Sequence, residues 1–371
     1  MEVKKPIFKT ITISLAVLFF VNVSQATFAD SWTMYGVNSS RTNCYQNAKV
    51  LPKGVLKWSF DVGAEVNSSP AIANGKVFFG SDNGKIYAVD IETGKEAWSI
   101  NTDNIVDSSP VISNGIVYIG SRDSKLYAID AETGTVKWTF TAENRISSSP
   151  VIYGNYVYFG SWDKNVYAIN KSDGTLAWKY ATQDRIMSSP AINNNILYIG
   201  SHDNYLYALN TQNGKLKWKF PTKNFVVSAP AVSGNNVYFG SWDKYVYAAN
   251  KLTGSLKWRR ATGETIGRSI AAKNNLIYTV SDDKHIYCIN ANSGGIVWKK
   301  SLGGLVAGST PVIVNNVLYV GSADGNIYAF SASTGARKWA LKTGKPVLST
   351  PAISDGILYV GSQDGKLYAI K

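Results

Sequence analysis

Seven aspartates recur at a regular interval in a Ser-x-Asp motif: Asp123, Asp163, Asp203, Asp243, Asp283, Asp324 and Asp364, with Asn83 in the first copy. A set of carboxylates could hold cations. An Asp fixed at one place in every repeat is better explained as a turn residue, accepting a hydrogen bond from the backbone two residues on. The position x is different, because it varies: Asp82, Arg122, Trp162, His202, Trp242, Asp282, Ala323 and Gln363. Arg145, Arg185, Phe225 and Arg268 stand in connections expected to reach the same side. Together Arg122, Arg145, Trp162, Arg185, His202, Phe225, Trp242 and Arg268 make a candidate binding face of the residue types enriched in binding hot spots. An exposed indole forgoes about 4 kcal/mol of burial, from about 150 Å² at about 25 cal/mol/Å². A partner that covers Trp162 and Trp242 would account for them; indoles folded down on neighbouring loops would account for them as well.

Catalytic chemistry has little to draw on. The chain has two histidines, His202 and His285, and it carries no Gly-x-Ser-x-Gly elbow, phosphate loop or metal-spaced His/Cys cluster. No catalytic residue and no metal site are assigned. Around residues 264–285 the repeat is least regular: Arg268 replaces a Ser, Ile270 a Pro and Val280 a Gly, with Glu264, Asp282, Asp283 and His285 nearby. Either a polar pocket or simple decay of a repeat explains this. Of the two cysteines, Cys288 fills the Ala slot of a repeated Tyr-Ala pair and reads as a small core thiol. A bridge to Cys44 has nothing in the sequence to support it.

The framework that must position these residues is set by tryptophan. Trp58, Trp98, Trp138, Trp178, Trp218, Trp258, Trp298 and Trp339 follow one another at a constant step, only the last being longer by one position. Each closes a block such as Ser148 to Tyr180, in which four runs of β-branched and aromatic residues are separated by turn dipeptides, Gly154-Asn155 and Asp173-Gly174 among them. Units of about 40 residues that read as short strands predict a β-propeller. The first three strands of the unit occur eight times, and the last copy ends at Lys371 without its fourth. A lone fourth strand, Val55 to Phe60, precedes the first copy. The expected fold is therefore all-β: an eight-bladed propeller of four-stranded antiparallel blades, its last blade closed by the N-terminal strand.

Residues 1–29 read as a signal peptide, with Lys4, Lys5 and Lys9 before the apolar run Ile11–Val23 and small-x-Ala sites ending at Ala26 and Ala29. Residues 30–52 form a leader and 53–371 the propeller. The protein is expected to be exported, periplasmic or extracellular, without an integral membrane span once the signal is removed. The formal charge of +13 could attract polyanions. Its Lys and Arg, however, concentrate beside the tryptophans, on blade edges where lysine blocks sheet-to-sheet association. Nucleic acid is not an expected partner.

The pattern Tyr127-Ala128, Thr133-Gly134, Trp138 resembles the tryptophan-docking repeat of pyrroloquinoline-quinone (PQQ) propellers, and Ser31 to Asn43 resembles the leader that precedes such repeats. That resemblance implies one of three things: a PQQ- and Ca²⁺-dependent alcohol oxidoreductase, a cofactor-free scaffold similar to the BamB proteins of outer-membrane assembly, or an exported repeat protein of other use. The dehydrogenases carry a vicinal disulfide and long insertions, and this chain has neither. The expectation is a non-enzymatic, monomeric ring that binds a protein partner in the cell envelope or at the surface. No cofactor is expected. A PQQ-dependent oxidoreductase and a carbohydrate-binding surface protein are the alternatives.

Overall fold

The computed structural model describes residues 1–2, 32–46, 48–303 and 309–371, so nearly all of the expected signal segment lies outside the described residues. Eight sheets surround one axis. In the third blade the strands run from the axis outward as A (Val151–Tyr153), B (Tyr156–Gly160), C (Asn165–Asn170) and D (Leu176–Ala181). Positive-φ residues make the A–B turns, as at Asn74-Gly75, Asn114-Gly115 and Asn194-Asn195, and this backbone suits two-residue hairpins. Strands B and C are buried, whereas strand D alternates and presents its lysines outward.

The eighth blade confirms the expected closure. Leu56–Asp61 pairs antiparallel with Lys366–Ile370, and Val55 and Lys371 exchange backbone hydrogen bonds of 2.9 and 2.7 Å. The first and last strands of the ring thus share one sheet.

A bulge in strand D sets each tryptophan. Ala128 pairs with Trp138 while Ile129 pairs with Val136, leaving Lys137 as the extra residue. The bulge turns the indole toward the next blade. There its N–H donates to a backbone carbonyl of the following repeat: Trp58 to Ile91, Trp98 to Ala131, Trp138 to Lys171 and Trp178 to Thr211. The ring packs on the glycine of the C–D turn; a Cβ on Gly134 would come within 2.9 Å of Trp98, and the φ of +74° at that glycine also excludes most side chains. Strand B contributes a second donor, since Tyr158 and Trp178 both bond the Thr211 carbonyl. The Ala opposite each Trp is small because the indole lies across it. Cys288 has this place opposite Trp298, is fully buried, and has its thiol pushed up to about 12 by burial. Cys44 and Cys288 are both free thiols.

The leader has a structural role of its own, outside the repeat. It runs around the inner rim and accepts the N–H groups that the A strands would otherwise leave unpaired. Carbonyls of Trp32, Thr33, Ser39, Ser40, Thr42 and Asn43 accept from Ile72, Ile112, Ile192, Val232, Ala272 and Ile313, at 2.7–2.9 Å. Cys44–Tyr45 then adds a short parallel strand to Val312–Val314. Finally, the seventh-blade Trp339 docks on Pro52 and Gly54, which replace the missing C–D turn of blade eight.

Candidate functional site

The leader crosses the end of the channel nearer the A–B turns. The B–C turns and D–A connections surround the other end, here called the top face. In the B–C turns the recurring Asp has the expected turn role: Asp163 Oδ1 accepts from the Asn165 N–H at 2.9 Å. Its Oδ2 accepts from the Tyr167 hydroxyl at 2.7 Å and from the Glu143 N–H of the preceding connection at 3.0 Å. Asp123, Asp203, Asp243 and Asp364 repeat all three contacts. These carboxylates hold turns together, and their oxygens are occupied.

The position x lies beside the D–A connection that precedes its blade, because its N–H donates to a carbonyl there: Trp162 to Arg145, His202 to Arg185 and Trp242 to Phe225. Three neighbouring blades therefore bring six of the eight candidate residues into one array. The Arg145 and Arg185 guanidiniums lie 5.1 and 4.7 Å from the centre of the Trp162 indole, one cation–π contact each. Arg185 Nε donates to His202 Nδ1 at 3.2 Å. His202 stacks on Phe225 with centroids 4.4 Å apart, and Phe225 meets Trp242 at 5.4 Å. Trp242, 38% exposed, ends the array over Gly267. The two sequence explanations of the indoles are thus combined: Trp162 lies between two arginines, while Trp242 keeps a bare face.

Two candidates stand apart. Arg122 donates twice to Asp107 Oδ2, at 2.9 and 2.7 Å. Arg268 comes later in its connection than Arg145 and Arg185 do in theirs, at the place of Ser148 and Ser188, and so it lines the axial channel rather than the array. The opposite side of the top face is acidic and internally bonded: Asn67 Nδ2 donates to Glu65 and Asp82, and Gln363 Nε2 to Glu65. The charge is therefore polarised. Among the described residues Arg145 and Arg185 have no carboxylate partner, whereas Arg122 does.

The irregular sixth blade does not form a separate acidic pocket. Glu264 pairs with Lys244, Asp282 accepts from Thr265, and Asp283 holds its turn. Among the described residues no three His, Cys, Asp or Glu side chains could hold a metal ion. A polar cavity of about 180 Å³ lies in the axial channel. Its lining includes the second residue of a Ser-Ser-Pro that opens strand A in most repeats, as at Ser148-Ser149-Pro150. The signal was present in the sequence as a hydroxyl in seven of eight copies, Ser69, Ser109, Ser149, Ser189, Ser269, Thr310 and Thr350, with Ala229 the exception.

Burial, and after it the Arg185 charge, lowers the pKa of His202 from its ordinary value of 6.5. Between the lowered folded value and 6.5 the unfolded chain binds more protons, so stability falls as the pH drops below 6.5. Replacing His202 with Gln should remove this sensitivity. Melting curves from pH 7.5 to about 5 should show a smaller loss of Tm for the variant; equal losses would exclude His202 as the source.

Comparisons with known proteins agree on the architecture. The family model described as "Outer membrane protein assembly factor BamB" matches residues 243–371, and one described as "Beta-alanine-activating enzyme, beta-propeller" matches 102–266. No curated protein sequence matches significantly. Among solved structures, BamB from Moraxella catarrhalis is 20% identical with a TM-score of 0.75, over 85% of this chain and 99% of that one. The computationally designed Ika8 protein is 18% identical with a TM-score of 0.76, over 86% and 99%. Quinohemoprotein alcohol dehydrogenase from Comamonas testosteroni is 15% identical with a TM-score of 0.79, over 93% and 81%. A natural assembly factor, a designed protein and an enzyme share this shape, so identity at these levels shows the fold alone.

Proposed function

We infer that this chain, a PQQ-like β-propeller resembling BamB, is an exported scaffold module of the cell envelope. Its top face would dock a protein segment in which acidic side chains alternate with apolar or aromatic ones. The observation that carries this reading is the array Arg145–Trp162–Arg185–His202–Phe225–Trp242. It is preorganised by stacking, it retains guanidiniums without carboxylate partners among the described residues, and it ends on a partly bare indole. Arginine and tryptophan held rigid at the centre of a patch give much binding energy at little entropic cost. The exported placement rests on residues 1–29.

The alternative cofactor, PQQ with Ca²⁺, fits these residues poorly. Calcium takes six to eight oxygen ligands, usually with several carboxylates. Asp107, among the described residues the only carboxylate lining the channel, is bound by Arg122. The two cysteines are far apart in sequence and both free. The carbohydrate alternative needs several open aromatic faces; two guanidiniums flank Trp162, which leaves Trp242 as the array's one partly open indole.

Changing Trp162 and Trp242 together to Ala should abolish capture of the partner from detergent-solubilised envelopes. Both side chains lie on turns, so the melting temperature should change little. Equal capture by the wild type and the double variant would overturn the assignment.

A further inference from the structure

We propose that the axial channel is a binding site for a small oxyanion, a carboxylate of a few carbons or a phosphate, held by Arg268 within a ring of serine and threonine hydroxyls. The site is separate from the docking array and does not depend on that reading.

The ring is made by the second residue of each Ser-Ser-Pro. Each backbone N–H donates to the hydroxyl oxygen of the next blade: Ser69 to Ser109, Ser109 to Ser149, and Ser149 to Ser189, at 2.9, 3.0 and 2.9 Å. Thr310 to Thr350 and Thr350 to Ser69 continue it at 3.1 and 2.9 Å. A hydroxyl has one proton to donate besides the lone pairs used here. Those of Ser69, Ser109, Ser149 and Ser189 find no acceptor among the described residues, so they can turn into the channel. Exposure agrees with this orientation. Ser69, Ser109, Ser149 and Ser189 keep 5–7% of their surface while the preceding serines, Ser68, Ser108, Ser148 and Ser188, keep none. In blade five Ala229 has no hydroxyl, which leaves the Ser189 N–H without the acceptor its counterparts have. The channel wall thus offers several donors, while its one carboxylate among the described residues, Asp107, gives Oδ2 to Arg122 and keeps Oδ1 buried without a hydrogen-bond partner.

Arg268 adds charge to this wall. It takes the place of the first Ser in its blade, lines the cavity, and has no hydrogen bond or ion pair with the described residues; its Nε is buried without a partner. Burial lowers its pKa although Asp282 favours the charge. A desolvated cation without a partner is costly, and an anion would relieve that cost. The guanidinium fork matches a carboxylate or phosphate through two parallel N–H donors. Asp107 does not serve as its counter-ion, because Arg122 holds it. Tyr35 rises from the leader to bond Ser269 and Thr310 at 2.6 and 3.0 Å, and so floors the site. A cavity of about 180 Å³ admits a molecule the size of succinate.

Calorimetric titration of the full chain with succinate, and separately with inorganic phosphate, tests this. At least one should bind saturably at one site. Arg268→Ser restores the residue of the other repeats, so the ring should still fold, yet it should weaken binding by roughly tenfold or more; Arg268→Lys, which keeps charge but loses the fork, should fall between. The Trp162→Ala/Trp242→Ala protein should bind the anion like the wild type, which separates failure here from failure of the docking face. No saturable heat with either probe, or equal affinity in Arg268→Ser, would overturn the proposal.

Discussion

Deleting Val55–Asp61 should leave a chain that aggregates and no longer melts in one cooperative transition, whereas placing the same residues after Lys371 should restore the ring. Three losses coincide in the deletion. Strand C of blade eight, with Leu367, Tyr368, Ala369 and Ile370 buried, becomes an apolar open edge. Trp58, which bonds the Ile91 carbonyl at 3.0 Å and packs on Gly94, no longer joins blade eight to blade one. The circle also opens, so every blade loses the constraint of two fixed neighbours. Truncating a packed Trp alone costs about 3–5 kcal/mol, against a total stability of about 5–15 kcal/mol for a typical domain. In the rearranged chain Lys371 would lead through the blade-three turn, Lys171–Thr175, into Leu56; the leader would stay at the N-terminus. Size-exclusion chromatography and thermal melts compare the two proteins. A deletion that stays monomeric and melts within a few degrees of the wild type would show that closure by this strand is dispensable.

What repeats in this chain was legible, and what does not repeat was legible only in part. A Trp closing every unit can be read because each copy meets the same demand, an indole laid on the glycine of the next blade. The Asp of Ser-x-Asp is a turn residue on the same logic, and its contacts to the turn N–H and to the Tyr of the following strand bear that out. The array over blades three to five was visible as a set of residue types. The order of its stacking was not, since it follows from which D–A carbonyl each B–C turn bonds. By residue type Arg268 belongs with the arginines of the array. Its later place along the connection directs it into the channel. The leader was the least legible part. It is held largely through its backbone carbonyls, which leave no side-chain signal, and the side chains that anchor it, Trp32, Tyr35, Ser40, Arg41 and Asn43, belong to no repeat.

Arg41 is where the leader's contribution concentrates, and Arg41→Met should lower the melting temperature by about 5 °C or more. The side chain is fully buried. Its Nη1 donates to the Tyr35 carbonyl at 2.7 Å, its Nη2 to Ser149 and Pro150 at 2.8 and 3.2 Å, and its Nε to Pro190. One guanidinium thus joins the leader to blades three and four, and in blade three it stands where other blades receive a leader carbonyl. Burial lowers its pKa to about 10, so desolvation offsets part of the gain. Charge-assisted hydrogen bonds contribute about 1.5–3 kcal/mol each, and a buried carbonyl left unpaired costs about 1–3 kcal/mol. Met fills the volume but pairs with none of the four carbonyls, for a net loss of about 4 kcal/mol; in a chain of this size that is about 5 °C. Arg41→Lys should recover less than half, because an ammonium cannot span the two blades as the planar fork does. Hydrogen exchange would locate the effect: the Ile192 and Val232 amides, bonded to the Ser39 and Ser40 carbonyls, should lose protection before strands B and C do. A melting temperature unchanged within a degree or so, with those two amides still protected, would mean that the leader holds the inner rim without its arginine.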